Sequence, residues 1–216
     1  MPTKSDAIPA GITVRTEPVQ QRSSERITAL LDAAAELIDR NGIDGLTTSD
    51  VAARSGSSVG VVYRYFPNIQ SLLRALAARN MEKFTDSIYK LMADEPTKWL
   101  DALNQTIDIY AELSRSEPGF RALRFGDVID ERFLHPDHSN NSVLANAFQD
   151  LLVKRYGLEP TEELAFDLEV IVEMADAILH RAFLYDPRGD ERFIAKLREI
   201  IRDYMDKYDS SSPSFQ

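Results

Sequence analysis

Apolar residues in this chain recur at helical spacing in almost every patterned segment, and nowhere alternate long enough to build a strand. Ile27, Leu30, Leu31, Ala34, Leu37 and Ile38 mark one helix face, entered from Ser23 or Ser24 and left at the C-cap pair Asn41-Gly42. In "TTSDVAARSG", Thr47 with Asp50 reads as a capping box opening a short helix, and Gly56 is placed to end it in a tight turn. A second short helix spans about Ser58 to Phe66 and stops at Pro67-Asn68. A longer one follows from Ile69 towards Met92, with Leu72, Leu73, Leu76, Met81, Phe84, Ile88 and Leu91 as its stripe. Further helices are expected at 97–114, 118–131, 141–156, 162–184 and 190–208, with breaks at "HPDHSNN" and "YDPRGD". The fold class is all-α.

The 216 residues allow a small domain beside a larger one, and 44% hydrophobic with 28% charged residues suffices for a packed core. No uncharged apolar run approaches the ~18 residues of a membrane span. The opening residues lack the apolar centre of a secretory signal. The absence of cysteine excludes disulfides, thiolate metal sites and a cysteine nucleophile. A cytoplasmic protein is the expectation. The divisions expected are a disordered arm over 1–22, a reading domain over 23–68, a helical regulatory domain over 69–208 and a tail over 209–216. Net charge is −10, but residues 1–66 are near balance, with seven Lys/Arg against eight acids. The acidity that repels polyanions lies in the C-terminal part.

Two short helices joined by a glycine corner and propped by a longer one form a helix-turn-helix arrangement. Val51 and Ala52 must meet Val61 and Val62 across that corner, and the second short helix then projects its free end, which fits a DNA major groove. Ser57 and Ser58 offer hydroxyls and backbone N–H groups at the helix start. Gly60 permits close approach, Tyr63 and Tyr65 present flat rings with hydroxyl tips, and Thr48 can hold a neighbouring phosphate. The same residues also admit a plainer reading, in which Tyr63, Tyr65 and Phe66 are core aromatics and the serines are caps.

The stretch "ITALLDAAAELIDRNGIDGLTTSDVAARSGSSVGVVYRYFPNIQSLL", Ile27 to Leu73, resembles the N-terminal domain of the TetR (tetracycline-repressor-like) family of transcriptional regulators. The resemblance rests on N-G, T-T, V-A-x-x-S-G-S-S, G-V-V-Y-R-Y-F and the leucine pair. It implies phosphate contacts at Thr48, Ser57, Ser58 and Tyr65, and groove contacts at Gly60 and Tyr63, with Arg64 variable. One position departs: Ile69 stands where the family often carries a phosphate-binding lysine, which lowers the expected salt dependence by about one unit of log–log slope. Arg22, Arg26 or the N-terminal arm are the candidates to compensate.

The helix carrying Leu164, Leu168, Ile171, Ala175, Ile178, Leu179, Ala182 and Phe183 is apolar over more than half its circumference, more than one packing face needs. The resemblance implies that the last two long helices pair with their symmetry mates in a homodimer. The interface expected from it comprises Leu168, Ile171, Ala175, Ile178, Leu179, Ala182 and Phe183 with Leu197, Ile201 and Tyr204, and it sets two reading heads on a palindromic operator. It further implies a pocket for a small-molecule effector among the middle helices. Candidate linings are Trp99, Tyr110, Phe120, Phe125, Phe148, Phe166 and Met174, although for each one the plain core reading outweighs a ligand contact. Their character suits an apolar or aromatic effector.

Catalysis finds no support: no nucleophile–base arrangement, phosphate loop or dinucleotide fingerprint occurs, and no cofactor is implied. His135 and His138 flank Pro136 and Asp137 in a polar stretch that reads as surface loop rather than metal site. His180 lies alone on an apolar helix. Arg121, Arg124 and Arg132 are expected to pair in solvent with Asp127, Asp130 and Glu131. Two functions follow: a repressor released from DNA by an effector, or a helical ligand-binding or interaction protein without specific DNA reading.

Overall fold

The computed structural model describes residues 16–93, 98–123 and 140–208. Among these residues every regular element is helical: α1 (Thr16–Asn41), α2 (Thr48–Arg54), α3 (Val59–Tyr65), α4 (Ile69–Ala93), α5 (Trp99–Ser116), α6 (Asn140–Tyr156), α7 (Glu162–Leu184) and α8 (Glu191–Met205), with a 3₁₀ turn at Asp206–Tyr208.

Helix α1 starts at Thr16, so residues 16–22, assigned above to a disordered arm, are helical. Pro18 falls in the first turn, where its missing N–H has no intrahelical bond to lose, so it does not mark disorder there. The helix expected over 118–131 is absent from its described part, because residues 117–123 form successive turns. Pro118 and Gly119 explain this, since Gly119 adopts φ +72°, a left-handed conformation that stops a helix.

Two hydrophobic cores result. The first gathers Leu30, Ala34 and Ile38 of α1, Val51 and Ala52 of α2, Val62 and Phe66 at α3, and Leu72, Leu73 and Leu76 of α4. The second lies among α5, α6, α7, α8 and the far half of α4, where Phe84 and Ile88 reach it. Helix α4 is thus shared. The 117–123 turns are shared as well: Phe120 belongs to the second core and Leu123 to the first. Arg121 pairs with Asp39 of α1 at 2.9 Å. Arg124, Arg132, Asp127, Asp130, Glu131, His135 and His138 lie outside the described residues.

The C-terminal end is tied down by a buried carboxylate. Asp167 on α7, only 3% exposed, accepts hydrogen bonds from Tyr204 at 2.9 Å and Tyr208 at 2.6 Å, and pairs with Lys207 at 2.8 Å. Burial alone would raise its pKa, but the bonds from Lys207, Tyr208 and Tyr204 with the Lys207 charge outweigh burial and hold it below the usual carboxylate range. Its stabilising contribution is therefore complete above the unfolded value of ~3.9 and is lost as pH falls through the lower folded value. Asp167→Asn should lower unfolding stability by about 2 kcal/mol near neutrality, read from urea curves, because charge-assisted bonds become neutral ones. The deficit should shrink below about pH 4, where the wild-type carboxylate protonates in the unfolded chain and then in the folded one.

Candidate nucleic-acid interface and effector cavity

The local chemistry of residues 47–71 builds a projecting helix. Thr47 caps α2 as expected: its hydroxyl accepts from the Asp50 N–H at 3.1 Å and donates to the Asp50 carboxylate at 2.6 Å. At the far end Gly56 adopts φ +64°, Ser57 N–H donates to the Ala52 carbonyl at 2.9 Å and Gly56 N–H to Ala53 at 3.3 Å. This is a Schellman ending, and it turns the chain sharply into α3. Ser58 caps α3 through the Val61 N–H at 3.3 Å. Asn68 and Ser71 then exchange hydrogen bonds at the start of α4, beginning with Ser71 N–H to Asn68 Oδ1 at 2.8 Å.

Val62 and Phe66 turn α3 inwards, and this sets its phase. At ~100° per residue, Gly60 and Arg64 fall on the opposite arc with Tyr63 on its flank, and these three, together with Val59 at the start of the helix, are exposed. The two readings of the aromatic cluster divide by residue. Phe66 is core, Tyr65 is half-buried against the same core with the Arg64 guanidinium 5.6 Å from its ring centre, and Tyr63 is 52% exposed. Tyr63 accepts a hydrogen bond from Thr48 at 3.3 Å. A methyl group at Gly60 would meet only Ser58 Oγ, at 4.0 Å, so nothing inside the chain demands glycine there. The α3 face is therefore shaped for something outside the chain.

Arg26 of α1 donates to Ser57 Oγ at 3.4 Å, which places one cation at the base of α3. Ile69 is half-buried and packs into the first core. Val59, at 38% exposure, is the residue missed above. Its exposure follows from its place at the N-terminal end of α3, while its β-branched side chain, three residues before Val62 and seven before Phe66, resembles core in sequence.

Among the middle helices the structure holds a partly open, chiefly apolar cavity of about 60 Å³, bounded by α4, α5, α6, α7 and α8. Of the candidate linings, Tyr110 and Phe148 face it. Phe120 is buried but stacks edge-on against Tyr110, with ring centres 5.4 Å apart, outside the cavity wall. Trp99 and Met174 pack against the second core without reaching the cavity. Phe166 is 63% exposed on the outer side of α7, because its helical phase opposes Leu164 and Leu168. Phe125 lies outside the described residues.

The residues expected at a dimer interface need a larger correction. Leu168, Ile171, Leu179, Ala182, Phe183, Leu197 and Ile201 are buried within the single chain. Leu168, Ile171, Ala175, Leu179 and Ile201 line the cavity. Ile178 and Ala175 are only half-buried, and Tyr204, although bonded to Asp167, is 36% exposed, so these three stay open to an interface. The wide apolar arc of α7 is consumed by α5, α6 and α8 and by the cavity. What remains outward on α7 is a separate stripe of exposed Phe166, Ala177 and Leu184 with the half-buried Val170. His180 is half-buried on the same helix.

A helix-turn-helix head with an outward polar-aromatic face, on a helical body containing an apolar cavity, defines the class of helix-turn-helix DNA-binding regulators. Residues 30–76 match the family described as bacterial regulatory proteins, tetR family, and residues 97–207 match the tetracyclin repressor-like C-terminal domain. The chain belongs to the TetR family. A TetR-family transcriptional regulator from Streptomyces coelicolor shares 32% identity, over 85% of this chain and 99% of that one, with a TM-score of 0.70. An HTH-type transcriptional regulator of Mycobacterium bovis is 31% identical over 81 residues, 36% of this chain and 42% of that protein. The class D tetracycline repressor of Escherichia coli is 38% identical over 58 residues, 27% of each chain. Both of these last matches span less than half of the relative's own length. No described helix is long and apolar enough to cross a membrane.

Proposed function

We propose that this chain is a cytoplasmic transcriptional repressor that grips a palindromic operator with two copies of α3 and is released by a small apolar or aromatic effector. The observation that carries the reading is the outward arc of α3, where Gly60 has space around it and Tyr63 stands exposed. Tyr63, Gly60, Val59 and Arg64 read the groove, while Thr48, Ser57, Ser58 and Tyr65 meet phosphates beside it. Arg26, already at Ser57, takes the place of the cation missing at Ile69. The reading head is 23–68 and the regulatory body 69–208; neither catalysis nor a cofactor enters.

Homodimerisation uses the outward stripe of α7, Phe166, Val170, Ala177 and Leu184, in place of the residues buried in the body. An effector filling the cavity moves Phe84 on α4, and α4 runs directly into the first core, so the spacing of the two heads changes. Selection from random duplex DNA tests the reading. Enrichment of a palindrome with half-site centres about 10 base pairs or somewhat more apart is expected. A clean dimer that enriches no palindrome would instead favour a ligand-binding or interaction protein without specific DNA reading.

A further inference from the structure

We propose that Asn141 is the polar anchor of the effector site: its side-chain amide pairs with a hydroxyl or carbonyl group on a ligand that is otherwise hydrocarbon or aromatic. The proposal rests on the effector-release reading above and names the chemistry that the cavity selects. Asn141 is 0% exposed and lines the cavity, yet neither its Nδ2 nor its Oδ1 has a hydrogen-bond partner. Buried amides are nearly always paired, so a side chain that the fold encloses and leaves unsatisfied on both atoms is waiting for a group from outside.

The surroundings restrict that group. Thr106, in the same wall, already donates its hydroxyl to the Ala102 carbonyl at 3.0 Å. Asp176, also in the wall and buried, sets a carboxyl group against any anionic ligand, so a neutral polar group is selected over a carboxylate. Direction comes from α6. Asn141 lies in its first turn, with Leu144 and Phe148 on the same face further along, and all three line the cavity. The ligand's polar group therefore sits at the start of α6 and its apolar body runs along Leu144 towards Phe148, at ~1.5 Å of helix per residue about 10 Å away. An amide offers a donor and an acceptor side by side, so a hydroxyl engages either atom and a carbonyl engages Nδ2.

The test uses the full chain and two matched probe pairs, phenol with toluene and 2-naphthol with 2-methylnaphthalene, which differ by hydroxyl against methyl. Calorimetric titration of wild type and Asn141→Leu gives the affinity ratio within each pair. The ratio should shift towards the methyl member by about tenfold or more in Asn141→Leu, because the hydroxyl loses its partner. The unliganded variant should also melt about 2–4 °C higher than wild type, since an unsatisfied buried amide has been replaced by an apolar side chain of similar volume. An unshifted ratio, or no binding of either pair to wild type at millimolar concentration, overturns the proposal. So does a variant that melts lower with an unshifted ratio, which marks the amide as structural. A shifted ratio with operator binding indifferent to every probe keeps the anchor and removes the effector-release reading instead.

Discussion

Tyr63→Ala is expected to abolish sequence-specific operator binding while leaving the fold intact. The ring is about half exposed on the outward arc of α3 and holds one hydrogen bond within the chain, from Thr48. Truncation opens no cavity in the first core, where Val62 and Phe66 supply the packing of α3, so unfolding stability should change by less than ~0.5 kcal/mol. Binding should suffer much more. A good groove contact contributes about 1–3 kcal/mol of discrimination, and a two-fold dimer loses it twice. Affinity for a selected operator should therefore drop at least ~30-fold, and affinity for unrelated duplex very little, since phosphate contacts remain. Fluorescence anisotropy with both duplexes, beside urea unfolding, separates the two effects. Operator binding at wild-type strength would sink the assignment of α3 as the reading helix.

Gly119→Ala should be strongly destabilising for a single added methyl. At φ +72° a side chain strains the backbone by ~1–2 kcal/mol. The added methyl would also stand 3.0 Å from Ala35 Cα and 3.1 Å from its carbonyl oxygen, both backbone atoms of α1 that cannot swing aside. Overpacking of this kind costs about 1–3 kcal/mol, which gives a combined loss of ~2–5 kcal/mol. The position matters because the same turns carry Phe120 into one core, Leu123 into the other, and the Arg121–Asp39 pair between them. A urea midpoint equal to wild type would mean that the 117–123 turns do not press on α1 as described.

Much of the reading head was legible residue by residue. Thr47 with Asp50, Gly56 and Pro67 act through local backbone geometry and hydrogen bonds within a few residues, so their roles follow from spacing alone. The helices of the body were legible for the same reason, as hydrophobic period survives any packing arrangement. The start of α1 was not, because a proline in a first turn looks the same as one in an arm. The turns at 117–123 were misread because apolar residues around Pro118 and Gly119 mimic helical period.

Partnership was the larger gap. The α7 arc announces that a broad apolar surface needs covering, but periodicity carries no information about what covers it. Leu168, Ile171 and Leu179 are equally suited to a second subunit, to α5, α6 and α8, or to a cavity. The tertiary arrangement assigns them to the chain's own interior and leaves Phe166 and Leu184 outside. Asn141 was invisible in sequence for the converse reason. An asparagine in a polar stretch at a helix start reads as a cap or a solvated residue, and only the convergence of five helices encloses it.

By itself, then, the sequence determined an all-α chain, the caps and corner of the helix-turn-helix, and its family, because these depend on contacts between near neighbours and on motif spacing. Only the tertiary structure decided which side of α3 faces outward, which apolar residues are interior, and that an unpaired amide lines the apolar cavity. Those outcomes depend on residues far apart in the chain arriving at the same place.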